Sequence, residues 1–412
     1  MDKTSPSKPA TRSLFLFQSL VLIAAGLWIY SPSFRGDWIW DDTILVADNE
    51  TLRTWSGLGK IWFSAPSTDY WPITWTLLWI EWHLWGAHTL GFHLCSLALH
   101  LTSAFLIWRL FDKLGLRWGW LGALIFVVHP LVVESVAWIS EIKNTLSLPF
   151  FLLSLISYID ADQGQTKRGY AWALIFYLVA MLCKSSAVML PFVLLLYTWW
   201  RHGRITWLDG RRMLPYFAIA LALGCITLYF QAVHYGESGV VTNRTFMERI
   251  IGASADIFFY LGKFAVPIDL LPQYPRWNLH PPSLHRIVTF PMLILMLGAL
   301  WTCRKNRGRH LILGFGFFLI NLLPVIGLVH MTWMNITWIA DHLVYLPMIG
   351  LIGLTVAGLE LVDRKLPPLV RPCLCAVIAV LLSLMATESH AYAAKWIDLK
   401  TLCTLQIKRD WD

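Results

Sequence analysis

Apolar runs long enough to cross a bilayer recur from one end of this chain to the other, and the loops between them are short and basic on alternate turns. A water-soluble fold has almost no room in that pattern. With 57% hydrophobic and 14% charged residues over 412 positions, the apolar surface exceeds what one soluble core hides. Helices that saturate their own backbone hydrogen bonds can carry it into lipid. The chain is therefore expected to be an all-α polytopic membrane protein. Many of its 24 tryptophans stand near the ends of apolar runs, as at Trp71, Trp75, Trp79, Trp82, Trp85 and Trp199-Trp200. There an amphipathic ring anchors at headgroup level or stacks on a sugar.

Lys3, Lys8 and Arg12 precede the first run, Leu14 to Tyr30, which has no small-residue cleavage site and reads as an uncleaved signal anchor with its N-terminus in the cytoplasm. Further spans are predicted over 92–111, 119–136, 144–159, 169–183, 186–200, 213–233, 287–303, 310–329, 342–361 and 372–389, about eleven crossings in all. This places Lys167-Arg168, Arg201 to Arg212, Arg304 to Arg309, and Arg364-Lys365 with Arg371 in the cytoplasm, as the positive-inside rule requires. Residues 1–390 then form one transmembrane domain and 391–412 an outer-face tail. The formal charge of +8 orients the protein in its membrane and does not call for nucleic acid. The seven cysteines, mostly inside apolar runs and without CxxC spacing, indicate neither a disulfide framework nor zinc.

Two outer loops, 31–91 and 234–286, are too long to be mere connectors. In the first, Trp71–Gly86 is an amphipathic aromatic segment expected to lie in the interface, because counting it as a span would invert every later loop. In the second, Thr245–Pro267 has a helical pattern and Pro267–Pro282 should be extended. Asn49, Asn243 and Asn335 begin N-x-Thr sequons on the outer side.

Asp41 and Asp42, in Trp40-Asp41-Asp42, stand within about a dozen residues of the first span. One carboxylate can take a proton from an attacking hydroxyl while its neighbour orients it or helps to hold a divalent cation; a solvated acidic turn accounts for them equally well. Lys184, in the tight turn between two spans, can neutralise a lipid phosphate or merely snorkel to headgroups. Glu134 ends one span and Glu141, Lys143 and Asn144 open the next. Ionisable groups at that depth are usually paired or functional, so these form a structural ion pair or hold a donor headgroup. His129 can be a packed histidine or a ligand. Asp341-His342 enters the tenth span ahead of Tyr345-Leu346-Pro347. Tyr260, Tyr274, Arg276 and Trp277 can wall a sugar or peptide, or pack against the membrane.

Taken in order, several motifs resemble the multi-span GT-C glycosyltransferases, above all the transmembrane and tetratricopeptide-repeat O-mannosyltransferases and their bacterial relatives. They are Trp40-Asp41-Asp42, Tyr70-Trp71-Pro72, Gly91-Phe92-His93 with His100, His129-Pro130, Trp138-Ile139-Ser140-Glu141, Lys184, Tyr260-Leu261-Gly262-Lys263, Leu323-Pro324, Ala340-Asp341 and Tyr345-Leu346-Pro347. The resemblance implies a polyprenyl-phosphate sugar donor, usually mannose, and inverting transfer to a hydroxyl on the outer face. On this sequence it implies Asp41 or Asp42 as base and Lys184, with His129 and His342, at the donor phosphate. Glu134, Glu141, Lys143, Asp341, Tyr345, Tyr274 and Arg276 would shape the donor and acceptor pocket. Two departures stand out. Where bacterial relatives show Ala-Asp-Arg, this chain has Ala340-Asp341-His342, an imidazole in place of a permanent guanidinium. The tetratricopeptide array is also missing from the sequence.

The expected function is sugar transfer from a polyprenyl phosphate to a protein Ser/Thr, at a bacterial inner membrane in preference to the endoplasmic reticulum. A lipid or envelope-glycan acceptor is the first alternative. A non-catalytic transporter or scaffold is the second, and for a transporter the long outer loops and lack of an internal repeat fit poorly.

Overall fold

The computed structural model describes residues 12–64, 69–235, 245–275, 277, 279, 282–305, 308–328, 334 and 337–410. Among these residues the chain is helical and no β-strand forms. Helices occupy the places of all the expected spans: Arg12–Tyr30, Thr89–Lys113, Gly119–Val128 with Val133–Ala137, Ile142–Asp162, Gly169–Cys183, Leu190–His202, Trp207–Tyr235, Leu284–Thr302, Gly308–Leu322, Met348–Lys365 and Arg371–Ala393. Among the described residues, 7 helices are long and apolar enough to cross a membrane, or up to 8 if the bent pair is one span. The rest are short, 15 residues for Gly169–Cys183 and 13 for Leu190–His202, or carry charges at one end, as Met348–Lys365 does with Glu360, Asp363, Arg364 and Lys365. The protein is a multi-pass membrane protein. Two helices show the apolar face that lipid would cover: Leu284–Thr302 has no buried residue, and Arg371–Ala393 buries only Ser389, Tyr392 and Ala393 at its end.

The inner helices pack closely. Thr89–Lys113 contacts both Gly119–Val128 and Ile142–Asp162, and Ile142–Asp162 lies along Gly169–Cys183. Gly308–Leu322 and Met348–Lys365 meet at Gly314 and Gly350, where a Cβ added to Gly350 would stand 2.2 Å from the Gly314 carbonyl oxygen. Only small residues allow two helix backbones to approach so nearly.

Two breaks in this bundle build the functional end. Gly119–Val128 and Pro130–Ala137 bend by 62° at His129, because Pro130 has no N–H to continue the helical ladder. His129 caps the new turn by accepting the Leu131 N–H at 3.2 Å. A second break at Trp138 leads through a short 3₁₀ turn, Ile139–Glu141, into Ile142–Asp162. The far ends of these helices are held by ion pairs: Lys113 and Arg109 to Asp160, and Arg201 and His202 to Asp162. Along the Ile142–Asp162 helix these pairs lie roughly 24–27 Å from Asn144. Basic loops thus gather at one end of the bundle and the acidic motifs at the other.

At that acidic end, Pro72–Trp85 is a helix of 14 residues, too short at about 21 Å to span a bilayer. It packs against the Gly57–Phe63 helix and Gly169–Cys183. The expected helix in the second long loop is Phe246–Ala265, opened by a Thr245–Glu248 capping box. The stretch read as an outer tail continues the last span helix through Ala393 and buries Trp396 completely. Asn243 and Asn335 lie outside the described residues, whereas Asn49 caps a short helix by accepting the Thr51 N–H at 3.0 Å.

Candidate active site

Adjacent in sequence, Asp41 and Asp42 have opposite environments. Trp40 adopts a positive φ of 47°, a conformation that costs a non-glycine residue roughly 1 kcal/mol. The turn it starts is closed by the Asp42 N–H donating to the Ile39 carbonyl at 2.9 Å. Asp42 is buried completely; its Oδ1 accepts from the Ser140 N–H at 2.7 Å and from the Ser140 hydroxyl, and its Oδ2 from the Ile39 N–H at 3.2 Å. Burial pushes its carboxyl up to about 7, against those hydrogen bonds and with the neighbouring Asp41 adding to the rise. Asp42 thus ties the first long loop to the break after Trp138.

Asp41 is exposed and, among the described residues, has no hydrogen-bond partner. Partial burial raises its pKa; Lys143 and His342 pull it down and Glu141 pushes it up. Those three are the rim of a compact charge cluster. Glu141 is buried, with Oε1 2.5 Å from Lys143 Nζ and Oε2 accepting from Asn144 Nδ2 at 2.5 Å. Lys184 Nζ donates to Asn144 Oδ1 and stands 4.0 Å from Glu141 Oε2. Burial lowers the Lys184 ammonium to about 8, while Glu141 raises it and Lys143 lowers it. Lys143 also donates to the Ser140 carbonyl at 3.1 Å and lies over the rings of Trp71 and Trp138 at 5.7 and 6.0 Å. His342 Nδ1 is 2.8 Å from Glu134 Oε1, its N–H donates to Glu134 Oε2 at 2.9 Å, and Nε2 reaches within 4.0 Å of Glu141.

The structure thus brings Asp41, Glu134, Glu141, Lys143, Lys184 and His342 together from four parts of the chain. Other residues expected at the pocket stand in its scaffold. His129 is buried, its Nδ1 taken by Leu131 and its Nε2 directed at the Phe264 carbonyl at 3.1 Å, so neither nitrogen is free for a phosphate. Asp341 is buried and accepts from the Tyr274 and Tyr392 hydroxyls at 2.9 and 3.2 Å, which removes both Asp341 and Tyr274 from the pocket wall. Tyr345 is buried with its hydroxyl on His100 Nδ1 at 2.9 Å. Tyr260 hydrogen-bonds Ala340 through both its N–H and its carbonyl. The second loop therefore fixes the segment that presents His342. Arg276 lies outside the described residues. Ser140, Trp71 and Asn144 join the site; the Asp42 contact to Ser140 spans 98 positions, a separation no local pattern signals.

A divalent cation does not fit these residues. The oxygens of Asp42 and Glu141 already face N–H or ammonium groups, two lysines occupy the centre, and among the described residues no three His, Cys, Asp or Glu side chains are placed to hold a metal. An apolar cavity of about 130 Å³, lined by Leu110, Ile159, Trp200 and Phe317, lies at the basic end and is separate from the site.

Residues 71–230 match the family of dolichyl-phosphate-mannose-protein mannosyltransferases, a segment containing the Glu134–Lys184 half of the cluster but beginning after Asp41. The chain is 28% identical over 202 residues to the human protein O-mannosyl-transferase TMTC4, covering 41% of this chain and 27% of the relative. It is 21% identical over 378 residues to the protein O-mannosyl-transferase F38B6.6 of Caenorhabditis elegans, covering 83% and 51%. Over these parts of its length the chain is similar to protein O-mannosyl-transferases. It spans about a quarter to a half of the length of these curated relatives. Among solved structures, ArnT from Cupriavidus metallidurans bound to undecaprenyl phosphate is similar with a TM-score of 0.48 and 11% identity, over 97% of this chain and 79% of that one. The cluster sets an exposed carboxylate, Asp41, which can accept a proton, near the cationic Lys143.

Proposed function

We propose that this glycosyltransferase moves a sugar, mannose in the first instance, from a polyprenyl-phosphate donor to a Ser or Thr hydroxyl of a protein, on the non-cytoplasmic face of a bacterial inner membrane. The observation that carries this reading is Asp41: an exposed carboxylate without a hydrogen-bond partner among the described residues, within the field of Lys143 and His342. Asp41 takes the proton of the acceptor hydroxyl as its oxygen bonds to the anomeric carbon. The bond from that carbon to the phosphate oxygen breaks on the opposite face, inverting the centre. The polyprenyl phosphate leaves unprotonated, its charge met by Lys184 and Lys143. Glu141 and Glu134 hold Lys143 and His342 in place and keep the site from carrying a large positive charge before the donor arrives. The name of the O-mannosyl-transferase relatives supports mannose and a protein acceptor.

The test is transfer of labelled mannose from polyprenyl-phosphate mannose to membrane-extract acceptors by wild type, Asp41→Asn and Asp42→Asn, with the products separated into protein and lipid or glycan fractions. Label in protein that vanishes in Asp41→Asn supports the reading. Label in the lipid or glycan fraction would replace the acceptor, and no transfer by folded wild type from several sugar donors would overturn the activity.

A further inference from the structure

We propose that Asn144 is a positioning residue that keeps the Lys184 ammonium off the Glu141 carboxylate, leaving two of the lysine's N–H donors for the phosphate of the lipid-linked sugar. This rests on the donor reading above and deepens it. Lys184 follows the Gly169–Cys183 helix in extended backbone, φ −156° and ψ 129°, which turns its side chain toward the first turn of Ile142–Asp162. There it donates to Asn144 Oδ1 while Glu141 Oε2 stays 4.0 Å away, beyond hydrogen-bond reach. On its other side the amide donates from Nδ2 to Glu141 Oε2 at 2.5 Å and toward Ser135 Oγ at 3.4 Å. Only one orientation of the amide satisfies both neighbours, since an ammonium can only donate and a carboxylate can only accept.

Without that amide, two full charges would face each other with side-chain exposures of 13% and 3%. In such surroundings their attraction is strong and would close the gap into a direct salt bridge. Glu141 does not need Lys184 for neutralisation, because Lys143 already sits on its other oxygen. An ammonium has three N–H donors, one of which goes to Asn144. Among the described residues no other acceptor within hydrogen-bond reach takes the remaining two. The charged groups that act on Lys184 are Glu141, Lys143, Asp69 and Glu134. Against these, burial lowers its ammonium to about 8, so it is still mostly charged near neutral pH and can meet an arriving phosphate.

The test uses the full chain in nanodiscs with two readouts. The first is the pH dependence of Lys184 labelling by a small amine-reactive reagent, followed by mass spectrometry. The second is the affinity for undecaprenyl phosphate. Asn144→Ala and the similarly sized Asn144→Leu are expected to move the labelling midpoint upward by at least about one pH unit and weaken undecaprenyl-phosphate binding roughly tenfold or more. Adding Glu141→Gln to Asn144→Ala should bring the midpoint back down, because the carboxylate that captures the lysine is gone; loss of packing alone would not be reversed this way. An unmoved midpoint in folded Asn144→Leu overturns the inference, and the donor reading is then judged by wild-type binding alone. A midpoint that moves in a protein whose wild type binds no undecaprenyl phosphate overturns the donor reading and, with it, the phosphate assignment.

Discussion

Exchanging the two acids separately should give opposite results, and the size of each effect follows from their contacts. Asp41→Asn changes an exposed side chain without a hydrogen-bond partner among the described residues, so stability should stay within about 0.5 kcal/mol of wild type. Removing the proposed general base should nevertheless lower kcat by about 10²- to 10⁴-fold. Asp42→Asn changes a fully buried group that accepts from Ser140 twice and from Ile39. The amide offers one acceptor oxygen and turns an NH₂ toward one of those donors, at a cost of roughly 1–2 kcal/mol. Transfer per folded molecule should then fall by no more than about tenfold, since Asp42 acts only by holding the loop.

The pH dependence of stability adds an independent check. Burial raises the Asp42 carboxyl to about 7 from 3.8, so between those values the folded state binds more protons than the unfolded one. Wild type therefore loses stability as pH rises through that window, and Asp42→Asn does not. The gap between them should be widest at acid pH and narrow toward neutrality, read as tryptophan-fluorescence unfolding midpoints in detergent beside the mannose-transfer assay. The reasoning is refuted if folded Asp42→Asn loses transfer while Asp41→Asn retains it.

Three further outcomes follow from the same contacts. The kcat/KM profile should fall on the acid side above the ordinary carboxylate range, because Asp41 must be ionised to act and its pKa is raised. It should fall again as pH rises through about 8, where Lys184 loses its charge; Lys184→Arg should move only that alkaline limb upward in a full pH–rate series. Lys184→Met should raise the donor KM by about 10- to 100-fold with a smaller change in kcat, measured by varying polyprenyl-phosphate mannose at saturating acceptor. Asp341→Leu leaves the Tyr274 and Tyr392 hydroxyls without their acceptor and should cost roughly 2–4 kcal/mol in thermal unfolding, with near-normal transfer per folded molecule.

Much of the architecture was legible because membrane helices announce themselves residue by residue. The places of the spans, the short helix at Pro72–Trp85 and the helix at Phe246–Ala265 all follow from apolar periodicity, proline and the Thr245–Glu248 cap. The acids and bases of the cluster were also visible, since a charge at the end of an apolar run is costly unless paired. Their partners were not. His129 and Lys184 look alike in sequence, each polar at the end of a span, yet the 62° bend at Pro130 turns His129 inward to Phe264 while the extended backbone of Lys184 carries its ammonium to Asn144. Asp341 and Tyr274 looked like pocket residues because sequence gives no measure of burial; their mutual hydrogen bond, across 67 positions, is what withdraws them. Asn144 stands beside Glu141 and Lys143 in the sequence, but a neutral side chain among charges gives no sign there of which partner it takes.

The difference between Asp41 and Asp42 originates one residue earlier. Trp40 at φ 47° reverses the chain within a single step, so Asp42 points inward to Ser140 and Asp41 outward to Lys143. The ring of Trp40 holds that conformation by packing edge-on against Trp138 at 5.4 Å and Trp396 at 5.7 Å. Aromatic pairs of this geometry contribute about 0.5–1.5 kcal/mol each, enough to offset the backbone strain. Trp396 is joined to the same loop by the Asp37 N–H donating to the Ile397 carbonyl at 2.8 Å. The placement of Asp41 therefore depends on three tryptophans from distant parts of the chain. Trp396→Ala should lower transfer by releasing Trp40 while Lys184 and its affinity for undecaprenyl phosphate stay unchanged. If donor affinity fell equally, the aromatic cluster would be supporting the whole site and not the orientation of Asp41.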